Sequence, residues 1–391
     1  MSKLLIDVGS TYFKTSSSEG VAQAFRDFSM TIFDDLSHKF ANKIAAYKKE
    51  DIYICSSANG GLSTLIIGLT NSFSLKYAKN IAFNSGINII DTVLVHELQT
   101  SVAPTQLLDV VIVVGGIDSV GGIYDTKLIS YLAKLRYSNI VYVGNTQDVP
   151  FLRSHVEALV VLENIIDNKL KVREEALKEY LTNLYQQDIV GKEDIKQLYA
   201  ITANQIFSTP YIVNRSLPFI GTKFAVVDPF IVVDIGGATT DIHYSRDLVR
   251  DNIVSENGFD RLVFKKLGVY KSRESLVFAA KSNEFVYEML NYLNVTENIL
   301  EEQSEKATKI LMLLSIFLVL YKVSSYKPAY VTLNLERLNA LVFTGGITKV
   351  LSQDEVLSIV HFFYKKVLNT NTIPTIVLDH NYDIWTLGMH Q

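Results

Sequence analysis

Two aspartates, Asp7 and Asp234, each stand at the end of a short apolar run and just ahead of glycine and hydroxyl residues. In Phe230-Ile-Val-Val-Asp-Ile-Gly-Gly-Ala-Thr-Thr-Asp-Ile-His-Tyr244, Asp234 precedes Gly236, Gly237 and Ala238, and then Thr239, Thr240 and Asp241. In Leu4-Leu-Ile-Asp-Val-Gly-Ser-Thr-Tyr-Phe-Lys14, Asp7 precedes Gly9, Ser10 and Thr11. Glycines let main-chain N–H groups approach an anion closely, and hydroxyls add donors beside them. A carboxylate just before such a turn suits a hydrated magnesium ion that accompanies phosphate. The chemistry on offer is phosphate binding with magnesium; for one copy alone, a plain hairpin with a polar turn is the competing reading. Lys14, one face-period beyond Thr11, either neutralises phosphate or stands solvated.

The elements that must position these residues are apolar strands. Phe230 to Val233 reads as a buried strand, the run before Asp7 matches it, and Ala340-Leu-Val-Phe-Thr-Gly-Gly-Ile347 is a third strand running into Gly345 and Gly346. Two strand–Asp–Gly–hydroxyl hairpins followed by a late strand–Gly–Gly resemble the three-part signature of the actin-like ATPase fold, duplicated ribonuclease H-like lobes around a nucleotide cleft. That resemblance implies ATP and Mg2+ as ligands, with the first two pieces gripping phosphate from opposite sides and the third packing on adenosine. It implies that Asp7 and Asp234 face the magnesium-bound phosphates mainly through water, and that Asp234 orients the attacking water. Ser10, Thr11, Thr239 and Thr240 would donate from hydroxyls, and the turns at Gly9 and Gly236-Gly237-Ala238 from the main chain. Gly345 and Gly346 would let adenine lie against the backbone. No residue before Asp234 stands out as a dedicated general base, which points to slow turnover.

Along the chain, helical spacing runs from about Thr31 to Lys48 and from Ser74 to Ser85, around a strand at Ile52 that enters a glycine-containing turn. Strands at Val110–Val114, Ile140–Val143 and Leu159–Leu162 then alternate with helices such as Thr126 to Leu135, arguing for a small parallel sheet. These patterns divide the chain into a first lobe at 1–87, an inserted parallel α/β domain at 88–165, and a helical linker with a second lobe at 166–391, the C-terminus returning toward the first lobe. The inserted region carries Asp109-Val-Val-Ile-Val-Val-Gly-Gly-Ile-Asp-Ser-Val-Gly-Gly122. Glycines at the carboxyl end of a parallel strand are where such sheets bind ligands, so Gly115, Gly116, Asp118 and Asn145 form a second candidate site. The alternative is that these glycines only permit tight turns. The stretch Leu276 to Leu320 reads as helical, with Ile310 to Tyr321 as a buried helix too short in its apolar run to span a bilayer.

The 391 residues suffice for two or three domains. With 48% hydrophobic and 20% charged residues, wholesale disorder is excluded. A net charge of −4, from 37 basic and 41 acidic side chains, favours neither nucleic acid nor an anionic membrane. One cysteine, Cys55, and an N-terminus that lacks a signal-peptide pattern fit a cytoplasmic setting. The seven histidines show no zinc spacing, and His243 reads as structural or exposed.

A narrower resemblance rests on Leu4-Leu-Ile-Asp-Val-Gly-Ser-Thr-Tyr, Cys55-Ser-Ser-Ala-Asn-Gly-Gly-Leu, Val113-Val-Gly-Gly-Ile-Asp-Ser, Val141-Tyr-Val-Gly-Asn and Val233-Asp-Ile-Gly-Gly-Ala-Thr-Thr-Asp. In that order they are similar to the glutamate mutase L family. This implies an ATP-dependent reactivating chaperone whose partner is an adenosylcobalamin-dependent mutase or aminomutase, releasing damaged cobalamin so that intact cofactor rebinds. Between Asp241 and Ala340 the chain is shorter and more diverged than that family. A small-molecule kinase of the same fold and a nucleotide-dependent filament or scaffold protein stay open as alternatives, as does homo-oligomerisation.

Overall fold

The computed structural model describes residues 3–57, 61–85, 87–118, 120–191, 193–250, 258–325 and 331–390. Leu4–Val8 is apolar apart from Asp7 and buried at every position, as a central strand with both faces covered must be. It pairs antiparallel with Tyr12–Ser17, which pairs antiparallel with Gly20–Phe25. On its other side lie Ile52–Ser56 and then Phe207–Ser208, both parallel. Phe230–Ile235 repeats the arrangement, with Thr240–Ser245 and Phe259–Phe264 as the antiparallel meander and Ala340–Gly345 and Thr375–Leu378 in parallel.

Strand order and direction therefore match in the two sheets. So does the register: Asp7 lies opposite Lys14, and Asp234 opposite Asp241. Both hairpins close with the same main-chain bond, Gly9 N to Tyr12 O and Gly236 N to Thr239 O, each 2.9 Å. This is the actin-like ATPase fold with duplicated ribonuclease H-like lobes.

A third sheet is wholly parallel, in the order Ile87–Leu94, Leu62–Gly68, Leu107–Val114, Arg136–Tyr142, Val160–Val161. It begins earlier than the boundary at 88 drawn from sequence, because Leu62–Gly68 pairs on both sides within it rather than with the first sheet. A short apolar strand looks the same in either sheet, so only pairing decides its home. The turn at Ala58-Asn-Gly60, part of a motif used above, lies outside the described residues, as does Ser119.

Helices join the layers. Thr209–Phe224 and Asp383–His390 cross in a core that also takes Leu5 and Cys55 from the first sheet and Phe230 and Val232 from the second. Contrary to the expectation from the run Ile310 to Tyr321, the helix extends over Glu305–Ser324 and is long and apolar enough to cross a membrane, yet 78% of its most apolar window is buried. It packs through Phe317 and its neighbours in the second lobe's core, as the sequence pattern suggests. The remainder of the helical stretch forms Arg273–Lys281 and Val286–Tyr292.

Candidate functional site

The two hairpins face one another across a cavity of about 330 Å³. Asp7, Gly9, Ser10, Thr11 and Lys14 line it from the first lobe, and Asp234, Gly236, Gly237, Ala238 and Thr239 from the second. Gly345 and Gly346 complete one wall. Three stretches far apart along the chain thus meet around one cavity.

Three glycines are fixed by space. A Cβ on Gly9 would stand 2.6 Å from Tyr12 O, the acceptor that closes the turn. Gly345 adopts φ +87°, which glycine accepts readily, and a Cβ there would lie 2.5 Å from Asp234 Oδ1. At Gly237 a Cβ would overlap Thr11 Oγ1, so the hairpins from opposite lobes touch tip to tip.

Asp7 is buried and held from three sides. Thr209 Oγ1 donates to Oδ1 at 2.6 Å, Lys14 Nζ donates to Oδ2 at 3.2 Å, and Cys55 Sγ lies 3.6 Å from Oδ1. Lys14 is therefore an inward cation rather than a solvated one. Burial opposes its charge, but Asp7 and Asp234 outweigh that and raise its pKa above the ordinary lysine value. Its ammonium also sits 4.8 Å from the centre of the Tyr382 ring. The Cys55 thiol is pushed up by burial, then by Asp7, which removes it as a nucleophile.

Asp234 is the titratable centre of the site. Burial raises its pKa to about 6, with Asp241 and Asp7 adding to the rise while Lys14 and Arg261 oppose it. Among the described residues no side chain hydrogen-bonds to its carboxylate. Asp241, which the sequence reading did not select, faces the cavity two residues beyond Thr239 and takes an ion pair from Arg261 at 2.8 Å.

Thr240 corrects the sequence reading. Its hydroxyl points away from the cavity, donating to Leu267 O at 2.9 Å and lying 3.2 Å from Ser315 Oγ. Strand alternation explains this: Thr239 and Asp241 share one face, and Thr240 takes the other. His243 is buried with Nδ1 3.3 Å from Asn214 Oδ1, a structural placement.

Several lining residues carry little local signal. Thr209 opens a helix capped by Ser208, and the Ser-Thr-Pro sequence announces the helix start without announcing Asp7 as its target. Tyr270 and Lys271 fold onto the second hairpin, both donating from their main-chain N–H to Gly237 O, at 2.9 and 2.8 Å. Lys271 and Lys349 add two cations to the lining.

In the middle sheet the polar groups of the second candidate site are taken up by the surrounding turns. Asn145 Nδ2 donates to Val120 O at 2.6 Å and to Gly121 O at 3.2 Å, and its Oδ1 accepts from Gln147 N at 3.0 Å. Asp118 Oδ1 accepts from Thr146 N at 2.9 Å. Gly115 O accepts from Asn145 N at 2.9 Å, and Gly116 has φ +78° with Asn145 Cβ 2.9 Å from where its own Cβ would be. These contacts match the turn-building alternative.

The donor set suits magnesium held through water and phosphate. Among the described residues no three His, Cys, Asp or Glu side chains are placed to ligate a metal directly. Two carboxylates on opposite walls, one without a side-chain donor, leave room for a hydrated ion.

Asp234 also sets a pH dependence. Its folded pKa of about 6 exceeds the usual aspartate value, so between those values the folded protein binds more protons than the unfolded chain. Stability contributed by the neutral form is full below about pH 4 and is lost as pH rises through about 6, by roughly 3 kcal/mol at most. Urea midpoints between about pH 4 and about pH 7 should fall more steeply for the native protein than for Asp234→Asn.

A family model described as MutL protein matches residues 3–313. The protein MutL of Clostridium tetanomorphum is 26% identical over 274 residues, 62% of this chain and 58% of that relative. The chain thus spans less than two thirds of that relative's length. Among solved structures, the activator of the 2-hydroxyisocaproyl-CoA dehydratase from Clostridium difficile, with bound ADPNP, is similar at 11% identity over 99% of this chain and 92% of its own, with a TM-score of 0.30. The ROK hexokinase from Thermus thermophilus is similar at 9% identity over 99% and 96%, with a TM-score of 0.32.

Proposed function

This chain belongs to the MutL protein family, and we propose that it is an ATP-dependent chaperone that reactivates an adenosylcobalamin-dependent mutase or aminomutase. The observation that carries the reading is the pair of equivalent hairpins whose carboxylates, Asp7 and Asp234, line one cavity from opposite lobes. ATP would lie with its phosphates between the hairpins and its adenosine against Gly345 and Gly346. Main-chain N–H groups of the turns, with Ser10, Thr11 and Thr239, would donate to phosphate oxygens. Lys14 would add positive charge beside Asp7.

Asp7 and Asp234 would hold Mg2+ mainly through water, and the ion would neutralise charge on the phosphates. Asp234 in its ionised form would accept a hydrogen bond from the attacking water and fix its direction. A carboxylate that titrates near 6 is ionised at neutral pH yet basic enough for that task. Asp241 is held at the rim of the cavity by its ion pair with Arg261, which largely compensates its charge.

In this reading the sheet around Leu4–Val8 forms one lobe, the parallel sheet from Leu62 to Val161 an inserted domain, and the sheet around Phe230–Ile235 the second lobe. Closing the cavity on ATP would move the lobes relative to the inserted domain and bias a bound client toward cofactor release. The setting proposed is cytoplasmic.

The test is restoration of activity to an inactivated cobalamin-dependent mutase by purified protein, ATP, Mg2+ and fresh cofactor. Recovery that requires both the protein and hydrolysable ATP supports the reading. ATP consumption that needs a sugar or a carboxylic acid, with no recovery of the mutase, would replace it with a kinase.

A further inference from the structure

A second cavity, of about 400 Å³, separates the edge strand of the middle sheet, Ile87–Leu94, from the edge strand of the second lobe's sheet, Phe259–Phe264. Its walls are apolar at Phe83, Ile89, Leu262 and Val323. Its charged lining is Lys79, Lys265, Lys266 and Lys322, with Asp91 the one carboxylate among the described lining residues. The volume falls in the range that small-molecule sites occupy, and a mainly apolar lining with a few charged groups is their usual composition.

The edge strand that lines this space is irregular. Along the middle sheet Thr64 pairs with Ile89 and Leu65 with Asp91, so Ile90 is an extra, bulged residue. A bulge twists an edge strand and interrupts further pairing. The two edges belong to separate sheets. Lys265 reaches across the gap and donates from Nζ to Ile89 O. That partner is a neutral carbonyl, and an ammonium has three donors. Burial pushes the Lys265 pKa down to about 8, so the group is still mainly charged at neutral pH.

The same segment backs the nucleotide hairpin. Ser272 Oγ lies 2.7 Å from both the Lys265 and the Ala238 carbonyl oxygens, and Leu267 O accepts from Thr240. Arg261 binds Asp241 and also donates to Phe83 O at 2.9 Å, tying the first cavity to a wall of the second.

We propose that this second cavity binds a small organic anion with an apolar body, its acidic group paired with Lys265 and its body against Phe83, Ile89 and Leu262. The site stands whether or not the hairpins take ATP. An anion here would give the half-buried ammonium a countercharge while its apolar part covers the walls.

Octanoate, octanol and inorganic phosphate serve as probes in titration calorimetry on the full chain. Octanoate is expected to bind the native protein about tenfold or more tightly than octanol or inorganic phosphate, since a charge-assisted hydrogen bond is at stake. Lys265→Met should reduce octanoate to the affinity of octanol, and Lys265→Arg should retain it. Equal affinity of the native protein for octanoate and octanol, or undiminished octanoate binding by Lys265→Met, would overturn the proposal. The comparison of probes on the native protein does not depend on any variant folding.

Discussion

Asp234→Asn is expected to lower magnesium-dependent phosphate release from ATP by about a hundredfold or more, with the fold intact. The substitution keeps the shape of the side chain and removes one negative charge at the point where water and metal-bound phosphate would meet. Losing a single preorganised electrostatic group in a site of this kind typically costs about 3 kcal/mol of transition-state stabilisation. The fold should tolerate it because desolvation of the half-buried carboxylate, with Asp241 and Asp7 adding to it, disfavours the charged form, and a neutral amide removes that cost. Stability at neutral pH should therefore stay level or rise while turnover collapses. The measurement is phosphate release at saturating ATP and Mg2+, paired with a urea melt of the same sample. A variant that turns over at the native rate would remove Asp234 from the proposed machinery. A variant that unfolds would contradict the electrostatic account of the site.

Gly388→Ala should be the most damaging small change to the fold. Gly388 lies on the helix Asp383–His390 where it crosses Thr209–Phe224, and a Cβ at that position would overlap the main-chain oxygen of Ile212. Alanine gains about 1 kcal/mol of helix propensity over glycine. Separating two packed helices costs more, since the obstacle is backbone and cannot rotate away. A net loss of about 2 kcal/mol is expected, in the range of overpacked cores. It would appear as a lower urea midpoint with an unchanged slope. The effect should reach the cavity too, because the displaced helix begins at Thr209, whose hydroxyl holds Asp7 at 2.6 Å. Weaker nucleotide binding should accompany the lost stability. A midpoint equal to that of the native protein would mean that the helices have room to part.

These two residues differ in how far the sequence reveals them. Asp234 is announced by an apolar run, a glycine turn and hydroxyls, all within one hairpin. Gly388 sits in an ordinary helical pattern, and nothing nearby in the chain shows that Ile212 lies against it. The same divide runs through the site. Lys14 could be placed near Asp7 from the hairpin alone, but whether it faced water or the carboxylate depended on the second lobe closing over it. Thr240 shows a further case, because strict alternation from Asp241 would have turned it inward; counting hydroxyls after a glycine turn overlooked that parity.

The middle sheet gives the clearest example of a signal with two meanings. Glycines after the strand Leu107–Val114 fit both a ligand site and tight turns, and the hydrogen bonds of Asn145 and Asp118 follow the second. Leu62–Gly68 likewise reads as an apolar strand with no address, until pairing with Leu107–Val114 assigns it to the middle sheet.

Local pattern alone specifies the two hairpins, the late glycine strand, the parallel character of the middle sheet and a buried apolar helix over Ile310 to Tyr321. Each follows from periodicity, turn stereochemistry or the length of an apolar run, and these act over a few residues. That Thr209 clasps Asp7, that Arg261 holds Asp241 and that burial lifts the Asp234 pKa to about 6 emerges with the packed fold. Those properties come from burial and from charges brought together across the sheets, and neither exists until the lobes have packed.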